Sequence, residues 1–120
     1  MYHVIVMKHI AKNEDEDNFE GKQFYYHLSL PFPPYVGLTI STSGWFSGTI
    51  ESVDWTQNEL SGQKYFTCRV TGEKPFYSNG DYFSYEGLCE TALQRFWKPY
   101  TREAIGLINK ITIVDRNLPQ

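Results

Sequence analysis

Lys22-Gln23-Phe24-Tyr25-Tyr26-His27-Leu28-Ser29-Leu30 sets Phe24, Tyr26, Leu28 and Leu30 on one parity and Tyr25, His27 and Ser29 on the other. That period of two defines the faces of a β-strand. Upstream, Tyr2 to Ile10 repeats the pattern with Val4 and Val6 on one parity and Ile5 and Met7 on the other. Between them lies the polar run Asn13-Glu14-Asp15-Glu16-Asp17-Asn18. If this loop closes a simple hairpin, the numbers of paired residues sum to roughly 32, by the symmetry of the loop. Val4 then faces Leu28 and Val6 faces Tyr26, while Ile5, Met7, Tyr25 and His27 share the opposite side. With apolar residues on both faces, the hairpin belongs near the middle of a sheet that is covered on both sides.

Downstream, Pro31-Phe32-Pro33-Pro34-Tyr35-Val36-Gly37 is excluded from a central strand, because proline fixes φ and removes a donor. Leu38 and Ile40 alternate with Thr39 and Ser41 as a short strand, and Ser43-Gly44 turns into a longer one from Trp45 to Trp55. Strict alternation cannot bury both Ile50 and Val53, so a β-bulge near Gly48 or Ser52 is expected. After the polar stretch Gln57 to Gly62, Phe66, Cys68 and Val70 share a face opposite Tyr65, Thr67 and Arg69.

Tyr85, Leu88, Cys89, Ala92, Leu93 and Phe96 recur at helical spacing, with Ser84 as N-cap and Lys98-Pro99 as the stop. Thr101 opens a short turn over 102–106, and Ile111 and Ile113 suggest a last strand. The expected fold is α+β: a small, strongly bent antiparallel sheet or SH3-like barrel with one helix in its C-terminal half. The 120 residues fit one domain, 1–120.

Composition narrows the function classes. Hydrophobic residues are 41% of the chain, enough for a core, and the formal charge of −3 argues against a phosphate-binding surface over the whole molecule. No window approaches the roughly 20 apolar residues of a membrane helix. The N-terminus reads as a strand and not as a signal peptide, so a cytoplasmic address is expected. Cys68 and Cys89 are too few for a disulfide framework and are expected as buried, reduced thiols.

Chemical motifs are sparse, and neither a metal nor a cofactor is expected. Asn13, Asp15 and Asp17 have the spacing of a calcium loop, but Asn18 and Phe24 occupy the positions that need glycine and glutamate. His3 and His27 become diagonal neighbours in the register above, with His9 on the same parity but no third ligand converging. The chain lacks a G-x-S-x-G elbow, and apolar settings raise the cysteine pKa values, away from nucleophilic use. The pairs Glu51 with Asp54 and Glu86 with Glu90 are spaced as surface charges.

The segment Phe76-Tyr77-Ser78-Asn79-Gly80-Asp81-Tyr82-Phe83-Ser84-Tyr85 exceeds structural need, with five aromatics around an Asn-Gly turn. Phe76, Tyr77, Asp81, Tyr82 and Phe83, joined by Phe32 and Tyr35, are the candidate binding residues. A non-enzymatic protein-interaction domain of the inhibitor, immunity or accessory-subunit kind is therefore expected, with another protein as partner and no membrane. Two alternatives remain. Lys64, Arg69 and Lys74 beside exposed aromatics suit a barrel that stacks single-stranded nucleic acid. A pocket between sheet and helix, with His27 or Asp81 as polar handles, suits a small ligand or an enzyme.

Overall fold

The structure is a computed structural model that describes residues 1–13, 20–41, 47–57 and 64–101. The acidic loop over 14–19, Trp45, and everything expected beyond Thr101 lie outside the described residues.

Strands β1 (Tyr2–Ala11) and β2 (Gly21–Leu30) form the expected antiparallel hairpin, running from Tyr2↔Leu30 through Val4↔Leu28 and Val6↔Tyr26 to Ala11↔Gly21. Strands β3 (Thr39–Ser41), β4 (Ser47–Gln57) and β5 (Lys64–Val70) follow as an antiparallel meander. The register slips between Ile50 and Ser52. Glu51 is the extra residue of the bulge, and it lets Ile50 and Val53 both reach the core.

The sheet is mixed where an antiparallel one was expected. Among the described residues its strands run β3-β4-β5-β1-β2-β8, with β8 the two-residue Lys98–Pro99, and β5 joins β1 in parallel through Val4↔Phe66, Val6↔Cys68 and Met7↔Arg69. Beyond β5 the chain stays at the edge of β1. The Glu73 N–H donates to the His9 carbonyl at 2.9 Å, and the Ala11 N–H donates to the Glu73 carbonyl at 2.8 Å. Gly72 permits this approach, since a Cβ there would lie 2.6 Å from the His9 carbonyl oxygen.

The sheet curls into a half-barrel. Along its seam, residues of β2 (Tyr26, Leu28, Leu30) and of β3 and its approach (Leu38 to Ser41) line a cavity of 440 Å³ together with Phe32. Inside the curl, Val4, Val6, Ile10, Phe24, Ile50, Cys68 and Val70 form the main core, closed by Leu88, Ala92 and Trp97. The outer face carries a smaller cluster, Ile5 and Tyr25 with Met7 and Tyr65.

Strands β6 (Phe76–Ser78) and β7 (Asp81–Phe83) make a separate hairpin, followed by helix α1 (Tyr85–Gln94). The Ser84 hydroxyl caps the helix, accepting from the Gly87 N–H at 3.1 Å. The helix ends earlier than its apolar stripe suggests. Leu93 is exposed, and Phe96 lies past the C-cap residue Arg95. Lys98–Pro99 then forms β8, a two-residue strand against β2.

Candidate functional site

Asn79 and Gly80 both have positive φ, 52° and 82°, as the type I′ turn of a tight hairpin requires. The turn fixes the pairs Phe76↔Phe83, Tyr77↔Tyr82 and Ser78↔Asp81. Alternation then gives the hairpin two different faces. The Phe76 and Phe83 rings stack at 4.7 Å between centroids and pack against the main core. Tyr77 and Tyr82 face the other way, their rings also 4.7 Å apart, 73% and 52% exposed. Asp81 is exposed as well, at the tip and on the parity of Phe83.

The seven candidate residues therefore divide by role. Phe76 and Phe83 anchor the hairpin, whereas Tyr77, Tyr82 and Asp81 face solvent. Phe32 and Tyr35 form a partly exposed pair of their own, 6.2 Å between centroids, with Phe32 at the β2–β3 cavity.

His3 and His27 meet as the register requires. His3 Nδ1 lies 2.8 Å from His27 Nε2, and the rings are stacked 5.0 Å apart. One of these nitrogens carries the proton and the other accepts it. His9 lies farther along β1, and its buried Nε2 has no hydrogen-bond partner among the described residues. Among the described residues no group of three or more His, Cys, Asp or Glu could hold a metal ion.

A buried ion pair escapes the sequence pattern. Lys8 shares the parity of Val4, Val6 and Ile10, and only 1% of it is exposed. Its Nζ lies 3.1 Å from a Glu73 carboxylate oxygen. Burial pushes the Lys8 ammonium below its ordinary pKa, and the Glu73 carboxylate opposes that shift. The signal in sequence is a lysine at a core-facing position of a strand, which demands a partner.

The thiols need a partial correction. Cys68 is fully buried, and burial, with the Asp54 carboxylate, pushes it up to about 11. Cys89 is only half-buried, because the helix turns it to the margin of the core. Burial raises its pKa as well, opposed by a Tyr85 hydrogen bond and by Lys22. In native thiol titration Cys89 is expected to label before Cys68, and Cys68 only on unfolding. The folded-state pKa of Cys68 lies above its ordinary 9.0, so its contribution is full below pH 9 and lost as the pH climbs through 11. That loss is about 2–3 kcal/mol and should be missing from the alkaline denaturation profile of Cys68→Ala.

No helix among the described residues is long and apolar enough to cross a membrane. Comparison of the chain with protein-family models, with curated proteins and with solved structures finds no match.

Proposed function

We propose that this chain is a non-enzymatic protein-interaction domain that meets its partner through the Tyr77–Tyr82 face of the β6–β7 hairpin. One observation carries the reading: the phenylalanines do the anchoring, so the two exposed tyrosines have no structural duty that explains them. Rings held by a type I′ turn lose little freedom on binding, and their hydroxyls can satisfy polar groups across an interface. Asp81 adds an exposed carboxylate at the hairpin tip, on the opposite parity from the rings. The complementary surface is one that offers arginine, whose guanidinium stacks on tyrosine rings.

We read the scaffold as a small barrel of SH3-like style, open along the β2–β3 seam. The proline-rich entry, the β3–β4–β5 meander and the curl of the sheet support this. The free thiols of Cys68 and Cys89 suit a reducing, cytoplasmic setting.

The test compares the full-length wild-type chain with Tyr77→Ala and Tyr82→Ala in quantitative affinity capture from the native host, followed by calorimetry with the purified partner. Each substitution is expected to weaken binding by about 1–3 kcal/mol while barely changing the unfolding midpoint. Capture that is indifferent to both substitutions overturns the proposal. Tight, steeply salt-dependent binding of a single-stranded oligonucleotide also overturns it, in favour of nucleic-acid stacking.

A further inference from the structure

The chain leaves helix α1 through Arg95-Phe96-Trp97-Lys98 in a Schellman arrangement. The Trp97 N–H donates to the Ala92 carbonyl at 3.0 Å and the Phe96 N–H to the Leu93 carbonyl at 3.1 Å. The residue between these bonds must be left-handed, and that position normally belongs to glycine. Here it is Phe96, with φ of 68° and a ring 73% exposed. A bulky residue held there at a conformational cost invites a functional explanation.

The same bend shapes the edge of β2. Pairing with β8 reaches Tyr25↔Lys98 and goes no further, because the left-handed turn carries Phe96 away from the strand. The gap is a cavity of 250 Å³ lined by Tyr25, Tyr26, His27, Phe96 and Lys98. Phe96 and Tyr25 give it aromatic walls and Lys98 brings a cation, while the Tyr26 ring turns inward against Trp97 and His27 is held by its hydrogen bond with His3. None of the described lining residues is acidic. Its volume falls below the roughly 300–1,000 Å³ of drug-sized sites, which suits a molecule of one ring.

We propose that this cavity binds a small aromatic anion, a single-ring carboxylate, with its ring against Phe96 and Tyr25 and its charge on Lys98. The site is independent of the tyrosine face of the hairpin, and either can fail without the other.

The test is an amide-shift titration of the full chain with benzoate, using benzyl alcohol and acetate as probes that lack the charge or the ring. Benzoate is expected to give saturable shifts at residues 25–27 and 96–98, and to bind at least about tenfold more tightly than either control. Lys98→Met should weaken benzoate about tenfold. Phe96→Gly should raise the thermal midpoint, because glycine accepts the left-handed conformation, and yet weaken benzoate about fivefold or more. Absence of saturable shifts, equal binding of benzyl alcohol or acetate, or unchanged affinity in Phe96→Gly each overturns the proposal.

Discussion

Glu73→Ala is expected to destabilise the protein by about 3–5 kcal/mol, whereas Lys8→Met is expected to change stability by less than about 1 kcal/mol, in either direction. The asymmetry follows from where the two charges sit. The Lys8 side chain is fully buried, and the Glu73 side chain keeps 25% of its surface exposed. Removing Glu73 takes away a carboxylate that lies 3.1 Å from an ammonium shielded from water by burial. Removing Lys8 leaves a carboxylate that can turn toward water, while methionine fills the space beside Val6 and Ile10. Urea denaturation of the two variants measures the difference. Its pH dependence has a definite sign. The folded-state pKa of Lys8 lies below its ordinary 10.5, so the folded protein binds fewer protons and gains stability as the pH rises toward that value. Lys8→Met lacks this gain, so its stability relative to wild type should fall between neutral pH and pH 10.5. A Glu73→Ala cost below about 1 kcal/mol would mean that Lys8 reaches solvent or another acceptor after a small rearrangement.

Trp97→Ala carries the other large effect, a loss of about 3–5 kcal/mol. Trp97 is 2% exposed, joins the main core alongside Leu88 and Ala92, and meets the Tyr26 ring at 5.6 Å between centroids. It also follows the left-handed Phe96, so its side chain secures the end of the helix against the sheet. Alanine there leaves a cavity that backbone fixed by β8 and by the helix end cannot collapse to fill. Trp97→Phe, which keeps most of the volume, should cost clearly less. Equal losses for the two variants in chemical denaturation would place the main contribution in the indole N–H and not in packing.

Much of the local architecture is legible in the residues. The β1–β2 register can be written from loop symmetry because hairpin partners are close in sequence and alternation forbids a slip by one. The bulge at Glu51 is legible because Ile50 and Val53 could not otherwise both be buried. The hairpin faces are legible in principle too. Counting outward from Asn79-Gly80 pairs Tyr77 with Tyr82 and Phe76 with Phe83, and that count alone separates phenols from phenyls. The parallel pairing of β1 with β5 is not legible, since no local pattern says which distant strand lies alongside. Glu73 as the partner of Lys8 depends on that same long-range pairing. The cavity at Phe96 depends on a two-residue strand containing proline, which propensity argues against. The Ser84 end of the helix has a clear signal, whereas the stop read from Lys98-Pro99 falls later than the C-cap at Arg95, because the Schellman exit puts phenylalanine where glycine is usual.

The β1–β5 seam also sets a timetable for the nascent chain. Each local hairpin can close in roughly 1–10 μs once its strands are free. Val4, however, must wait for Phe66, about sixty residues later in synthesis, which at ordinary elongation rates takes on the order of 3–12 s. During that interval β1 is paired on one side only, and Val4-Ile5-Val6 presents its other edge to any strand that arrives first. The meander β3–β4–β5 therefore acts as a late clasp, and the moment of greatest exposure to misassembly falls on the ribosome, before the sheet is complete.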